Sequence, residues 1–295
     1  MTTITRQNFD LHLHSYWSYD GQISPVKYFE LARQYGIETI AITEHHNIDS
    51  QIEIQLAKND FPDIRIILAA ELTVQTSVGN IDLLCYNLPI ISSVTKDFRD
   101  LLLFYRQWQI DYGRAFCQAM QSIGYNYRNS DRASLLESYR PKKCLDLHLD
   151  SLVKNEIQTE YFIQQGYIRN KNEYAALRKS FTQKGLLPAY PDVEHVTQII
   201  KSTGGLIVIA HPWKYFQEKN LKRMDLLREE CHLDGIECAH PNISAELTPF
   251  YRQYCEKHSL LSTAGSDCHR EEDATRKMGI HLGEDGWLSE LLERL

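Results

Sequence analysis

The sequence predicts an α/β fold in which parallel strands form a barrel and helices lie outside it. Strand and helix patterns alternate over roughly the first 90 residues, and the alternation resumes after about residue 190. The chain has 295 residues, 43% of them hydrophobic, which is enough for a sizeable core. A long interrupted run of strand–helix units is typical of a barrel rather than of a small open sheet.

The first half of the alternation contains four predicted strands. A helix is predicted between the first and second strands, because Ser24 can cap it, Pro25 suits its first turn and Gly36 can end it. A second helix, at 49–59, separates the second and third strands. The four strands lie at 9–13, 37–43, 64–70 and 80–86, and the strand–helix order predicts that they are parallel.

A mostly α-helical insertion is predicted next, at 95–190. Apolar residues between 97 and 123 recur in steps of three and four, beginning with Leu101, Tyr105 and Trp108, as on one face of a long helix. Strands follow at 206–210, 235–239 and 260–264, with helices between them. We therefore assign 1–94 and 191–295 to the barrel domain and 95–190 to the insertion.

Composition narrows the class of protein. A net charge of −7 argues against a surface that coats nucleic acid in general. The seven cysteines include no CxxC pair, which indicates reduced thiols in a cytoplasm-like compartment. The start of the chain carries no apolar signal-peptide core, and no run approaches 18 apolar residues. We expect a cytoplasmic protein with no membrane association and no stable protein partner.

The stretch DLHLHS places two histidines one residue apart in the first strand. His12 and His14 would point to the same face of that strand, since side chains alternate along it. Such a pair is consistent with a divalent metal between the rings, or with two surface histidines on an edge strand.

The other strands favour the metal. Each of five apolar strands is followed by, or ends in, a histidine or a carboxylate, and in a parallel barrel those ends meet at one face, where active sites form. Asp20, in the first loop, can reach the same rim. The residues concerned are His14, Glu44 with His45, Glu71, His211, and Asp267 with His269.

Imidazole and carboxylate ligands without clustered thiols favour Mn²⁺, Zn²⁺, Fe²⁺ or Mg²⁺. Several carboxylates can bridge cations, and paired cations about 3.5–4 Å apart are typical of phosphoester hydrolysis. The pattern therefore predicts a metal-dependent phosphoric ester hydrolase.

These motifs resemble the polymerase and histidinol phosphatase (PHP) family of metal-dependent phosphoesterases. The matching stretches are DLHLHSYWSYDG, ITEHHNID, AAEL, IAHP and GSDCH. The insertion and the following PAYPDVEHVTQIIKSTGGLIVIAHP resemble the branch that dephosphorylates nucleotides or trims RNA from its 5′ end. The resemblance implies a distorted (β/α)₇ barrel with two or three bound metals, most simply Mn²⁺.

The resemblance also implies how the ligands divide. His12, His14, Glu71 and Asp267 would hold one metal, and Asp20, His45 and His269 a second. Glu71 would bridge to a third metal shared with His211, and the catalytic residues would be Glu71, His211 and Asp267. The family usually has a further histidine where this chain has Asp82, which we predict to be a ligand. Its TDH motif has aspartate where this chain has Glu44.

The implied reaction is attack on phosphorus by a hydroxide that the metals generate, on phosphate monoesters of nucleotides or nucleoside bisphosphates, or at the 5′ ends of short RNA. Two alternatives stay open: a small-molecule phosphatase of the histidinol phosphatase type, and a PHP module that binds metal or nucleotide without turnover.

Two further histidines are candidate substrate contacts. His148, in the insertion, matches loosely a histidine that this branch places over its active site; otherwise it is an ordinary helix residue. His240 follows the GIECA strand on the active-site side and is a candidate phosphate contact.

Overall fold

The computed structural model describes residues 6–149 and 151–295. Seven strands form one sheet in chain order, and the residues after the last strand pair with the first. Leu13 bridges Cys268, and the His14 amide donates to the Cys268 carbonyl at 2.9 Å. The predicted distorted (β/α)₇ barrel is confirmed. The strands are β1 (Phe9–Leu13), β2 (Thr39–His45), β3 (Arg65–Thr76), β4 (Gly79–Tyr86), β5 (Leu206–Ile209), β6 (Gly235–Ala239) and β7 (Leu261–Ala264).

The helices of the described residues follow the apolar periodicity. In α1, the Ser24 hydroxyl accepts from the Lys27 amide, and Gly36 ends the helix in the left-handed conformation at φ 70°. The bounds are α1 (Pro25–Tyr35), α2 (Gln51–Asp60), α3 (Lys96–Ser122), α4 (Asn129–Glu137), α5 (Lys142–His148), α6 (Asn155–Gln164), α7 (Lys171–Gln183), α8 (Val193–Ser202), α9 (Leu221–Glu230), α10 (Leu247–His258) and α11 (Asp285–Leu292).

The prediction that the first four strands are parallel was wrong for β4. This strand runs antiparallel to both β3 and β5. The reason is the short connection between the strands. The β3–β4 pairing ends at Thr76 and Gly79, so only two residues connect β3 to β4. A parallel neighbour would need a crossover of a dozen or more residues.

Glu71 was expected just beyond the end of a strand, and this too was wrong. β3 continues five residues further, to Thr76, so Glu71 lies within it. Its neighbours are His45 on β2 and Leu84 on β4. Because Glu71 and Thr73 share a face of β3, and Thr73 pairs with Asp82, this register brings the Asp82 side chain towards Glu71.

The chain forms two compact units. One comprises Met1–Leu101 and Tyr190–Leu295, and the other Leu102–Ala189. Part of the core of the first unit packs α1 and α2 against the outer face of β1 and β2, through residues such as Phe29, Ile40 and Ile54. The second unit has its own aromatic core, which includes Phe116, Phe162 and Phe181. The assignment of 1–94 and 191–295 to a barrel domain stays a prediction.

Candidate metal centre

The nine predicted metal ligands form one continuous cluster in the first unit. Each has a ligand atom 3.0–3.7 Å from that of another member. The members are His12, His14, Asp20, His45, Glu71, Asp82, His211, Asp267 and His269. They come from separate strands and the loops that follow them, so the cluster depends on the barrel and not on any one segment.

Glu71 is the centre of this cluster. Its carboxylate is fully buried, and its Oε2 atom lies 3.3 Å from His12 Nε2, 3.1 Å from His14 Nε2 and 3.2 Å from His45 Nδ1. Its other oxygen, Oε1, lies 3.0 Å from His211 Nε2. One carboxylate thus faces imidazoles on two sides, as a bridging ligand does.

Four ligand atoms of the cluster lie close together. His12 Nε2 and His14 Nε2 are 3.0 Å apart, and Asp267 Oδ1 lies 3.5 Å from the first and 3.3 Å from the second. Glu71 Oε2 lies 3.3 Å from His12 Nε2 and 3.1 Å from His14 Nε2, so both imidazoles approach both carboxylates. Nitrogen and carboxylate atoms gathered in this way are the usual ligands of divalent metals.

The hydrogen bonds behind the two rings fix which nitrogen carries the proton. His12 Nδ1 lies 2.8 Å from Glu237 Oε1, and a carboxylate only accepts. His14 Nδ1 lies 3.1 Å from the Ser18 hydroxyl, which donates its own proton to Glu44 Oε2 at 2.6 Å. Both Nδ1 atoms are therefore donors, and both Nε2 atoms of the neutral rings present lone pairs.

Two lone pairs that face each other at 3.0 Å cannot form a hydrogen bond between neutral rings. A metal cation between the rings, or a proton on His12 Nε2, removes the repulsion, and second acceptors behind the ligating rings are usual in metal sites. The donor set of the cluster therefore fits a divalent metal.

The pKa shifts of His12 and Glu71 are also consistent with a bound cation. Burial disfavours a charged His12, but Glu237, Glu71 and Asp267 outweigh it and hold the pKa of His12 well above its ordinary value. Burial likewise opposes a charged Glu71, but His211, His12 and His45 hold the pKa of Glu71 well below its ordinary value. The pocket thus favours positive charge at the position between these groups.

A second group of ligand atoms lies around Asp20. Its Oδ2 atom is 3.4 Å from His269 Nε2 and 3.6 Å from His45 Nε2. His269 Nδ1 donates to the Asp267 carbonyl at 2.8 Å, so Nε2 is the nitrogen that faces Asp20. The His14 ring stacks on both His45 and His269 with centroids 4.3 Å apart, and these three imidazoles can share a metal.

A third group contains Glu71, His211 and Asp82. Asp82 Oδ2 lies 3.7 Å from His211 Nδ1 and accepts from the Tyr215 hydroxyl at 2.6 Å. Its Oδ1 accepts from Thr73 at 2.7 Å. Each oxygen of Asp82 therefore already has a hydroxyl partner, unlike the oxygens of Glu71.

Three residues in or next to the cluster have a strained backbone conformation. His46, His211 and Asp267 have φ values of 64°, 38° and 54°, in the left-handed region. Residues other than glycine pay about 1–3 kcal/mol for such a conformation and keep it chiefly at functional sites. The strain at His211 and Asp267 accompanies side chains that face the cluster.

Three other histidines lie outside the proposed ligand sets. His46 is buried, its Nε2 lies 2.9 Å from Thr73 Oγ1, and burial lowers the pKa of His46 to about 3. His240, after β6, has its Nε2 3.5 Å from Asp267 Oδ2. His148 ends α5 in the second unit, where Arg140 Nη2 donates to its Nδ1 at 3.2 Å. Its predicted phosphate contact stays a prediction.

Sequence reasoning missed Glu237, Ser18 and Arg276. Glu237 is a carboxylate inside the apolar GIECA strand, and a buried charge in such a strand was the available signal. Ser18 lies in the first loop and orients His14. Arg276 donates to Asp267 Oδ2 at 2.8 Å from a loop with no recognisable motif. Glu44, in turn, accepts from the Ser15 amide and the Ser15 and Ser18 hydroxyls, so it anchors the first loop.

A seven-stranded α/β barrel with such a cluster at its strand ends defines a class, the metal-dependent hydrolases. Residues 10–254 match the model of the PHP domain. The chain belongs to the PHP family, and it is a metal-dependent phosphoesterase.

Three curated relatives are similar over most of their length. A phosphoribosyl 1,2-cyclic phosphate 1,2-diphosphodiesterase from Eggerthella lenta is 25% identical over 92% of this chain and 98% of its own. A 5′-3′ exoribonuclease from Haemophilus influenzae is 23% identical, with 89% and 90% covered. The 5′-3′ exoribonuclease Rnm of Escherichia coli is 24% identical, with 94% and 92% covered.

Two solved structures share the fold. One, from Bifidobacterium adolescentis, is assigned as a metal-dependent phosphoesterase; it has a TM-score of 0.72 and 19% identity, with 97% of this chain and 96% of that chain covered. The other is an amidohydrolase from Chromobacterium violaceum with a TM-score of 0.72 and 19% identity, with 98% and 97% covered. Among the described residues, none of the helices is both long and apolar enough to cross a membrane.

Proposed function

We propose that this protein hydrolyses phosphate esters of nucleotides or nucleoside bisphosphates, or trims RNA 5′ ends, with two or three bound divalent metals, Mn²⁺ being the simplest choice. The observation that carries the proposal is the approach of the His12 and His14 Nε2 atoms to 3.0 Å, beside the carboxylates of Glu71 and Asp267. Nitrogen and carboxylate ligands of this kind suit Mn²⁺, Fe²⁺ and Zn²⁺.

The proposed ligand sets follow the three groups of atoms. His12, His14, Glu71 and Asp267 would hold one cation, and Asp20, His45 and His269 a second. A third would lie between Glu71, Asp82 and His211.

When bound, the cations would activate a water molecule as the nucleophile and neutralise the oxygens of the phosphoryl group. Neighbouring side chains orient the proposed metal ligands. Glu237 and Ser18 hold the His12 and His14 rings with their Nε2 atoms inwards. Glu71 keeps its negative charge at the shared corner of the groups, because the surrounding imidazoles hold its pKa low. No side-chain nucleophile is needed in this scheme.

The substrate class is supported by the relatives. Two of them are named as 5′-3′ exoribonucleases, and they cover most of this chain. A cyclic ribose phosphodiester is a second candidate, because the diphosphodiesterase from Eggerthella lenta is 25% identical and 98% of its length is covered.

A substrate screen tests the proposal. The purified protein, loaded with Mn²⁺, would be offered p-nitrophenyl phosphate, bis-p-nitrophenyl phosphate, nucleoside monophosphates and bisphosphates, 5′-phosphorylated RNA oligomers and a cyclic ribose phosphate. We expect hydrolysis of a nucleotide or RNA substrate that a chelator abolishes. Asp267→Asn is the inactive control, since Asp267 Oδ1 is a ligand atom of the proposed first site. Failure of the metal-loaded protein to hydrolyse any of these esters would refute the function.

The expectation of a cytoplasmic location belongs with this proposal. All seven cysteines are free and buried, which is consistent with a reducing compartment.

A further inference from the structure

Arg276 and His240 both approach the outer oxygen of Asp267. Arg276 Nη1 donates to Asp267 Oδ2 at 2.8 Å, and His240 Nε2 lies 3.5 Å from the same atom. The other oxygen, Oδ1, faces His12 and His14. Asp267 therefore separates the proposed first metal site from a pair of donors that neither the family motifs nor the proposed ligand sets include.

Arg276 is held in place by its own loop. Asp273 is buried, and its Oδ1 accepts from the backbone amides of Thr275 and Arg276 at 2.9 Å each. Its Oδ2 lies 3.6 Å from Arg276 Nε. A guanidinium has five N–H donors, and the Arg276 side chain is 26% exposed. Part of the Arg276 guanidinium therefore stays available to an anion beside the metal cluster.

His240 offers a second donor. Its Nδ1 accepts from the Asn242 amide at 3.0 Å, so the proton of the neutral ring is on Nε2. Nε2 is buried and has no hydrogen-bond partner among the described residues, and its distance of 3.5 Å from Asp267 Oδ2 is long for a hydrogen bond. The Trp213 indole packs against the imidazole with centroids 4.6 Å apart and limits its rotation. The structure thus contains a fixed, buried and unused N–H donor.

We propose that Arg276 and His240 form a subsite for a terminal oxygen of a phosphate monoester, and that this subsite makes the enzyme prefer monoesters to diesters. The inference rests on the proposed function. A phosphate monoester carries nearly two negative charges and three terminal oxygens, whereas a diester carries one charge and two such oxygens. A cation bound to Asp267 Oδ1 would weaken the charge-assisted hydrogen bond from Arg276 to the same carboxylate. The planar guanidinium of Arg276 matches the geometry of a phosphate group.

The first test removes the guanidinium. Arg276→Met keeps the length of the side chain, and Arg270→Met is the matched control, because Arg270 is exposed on the same loop and its guanidinium lies 3.8 Å from Asp273. Both would be assayed on p-nitrophenyl phosphate and bis-p-nitrophenyl phosphate with Mn²⁺. We expect Arg276→Met to lower kcat/KM for the monoester about 10- to 100-fold, as loss of a charge-assisted hydrogen bond does, with the diester within about threefold of wild type. Equal losses on both esters would overturn the proposal, because Arg276 would then act only by holding Asp267.

A second test measures binding without turnover. Titration calorimetry with inorganic phosphate on the Mn²⁺-loaded protein should give weaker binding for Arg276→Met and for His240→Phe, which keeps a ring against Trp213. Arg276→Lys retains the charge and should recover part of the affinity. Metal content and melting temperature should match wild type in all three variants. Unchanged phosphate affinity in both Arg276→Met and His240→Phe would refute the subsite. Absence of any turnover by the wild type would instead refute the proposed function.

Discussion

Replacement of Glu71 by glutamine is the most informative single change in the metal cluster. The substitution keeps the shape of a fully buried side chain and removes one negative charge. The carboxylate faces His12, His14 and His45 through Oε2 and His211 through Oε1, so two proposed cations lose a ligand charge together. One unit charge about 4 Å from another is worth about 4 kcal/mol at an effective dielectric constant near 20. That energy corresponds to about three powers of ten in affinity for each cation.

We therefore expect Glu71→Gln to lose at least two metals on dialysis and to hydrolyse p-nitrophenyl phosphate at least about 10³-fold more slowly than wild type. Elemental analysis measures the first effect, a Mn²⁺-supplemented assay the second, and circular dichroism shows that the variant is folded. Glu256→Gln, on the exposed side of α10, removes the same charge away from the cluster and should change neither quantity. Wild-type metal content and turnover in Glu71→Gln would refute the bridging role.

Three further changes test the surroundings of the cluster. Glu237→Gln should weaken metal binding about 10- to 100-fold, because it removes the negative charge beside His12 and leaves one acceptor oxygen where His12 Nδ1 and the His211 amide now use two; wild-type affinity in a metal titration would contradict this role. Asp82→Ala should weaken one metal selectively, and Asp82→His should shift activity from Mn²⁺ towards Zn²⁺; unchanged stoichiometry and metal profile in both would place Asp82 outside the site. Gly265→Ala should destabilise the fold by about 1–3 kcal/mol, since an added Cβ would lie 2.3 Å from His12 Cβ; a melting curve like that of wild type would show that β1 moves freely.

The ligand residues were predictable because each is placed by local features of the sequence. An apolar strand that ends in an imidazole or a carboxylate is visible in one segment, and the barrel brings such ends together. The direction of β4 was harder to predict from the sequence. The two-residue turn before Gly79 has no strong hairpin dipeptide, so the strand was taken as one more parallel member of the series.

Residues that act through other side chains were harder to predict. Glu237 lies in an apolar strand, and its partner His12 is 225 positions away in the chain. Arg276 reaches Asp267 only because Asp273 folds the intervening loop. Such contacts depend on tertiary packing, and neither periodicity nor a short motif encodes them.

Metal content of the wild-type protein tests the central claim most directly. Elemental analysis after mild purification and Mn²⁺ loading should find at least two transition-metal equivalents per chain, because at least two groups of ligand atoms surround Glu71. Chelation should remove the metal and abolish phosphate ester hydrolysis, and added Mn²⁺ should restore it. Less than one equivalent per chain after loading, or hydrolysis that survives complete removal of metal, would contradict the account.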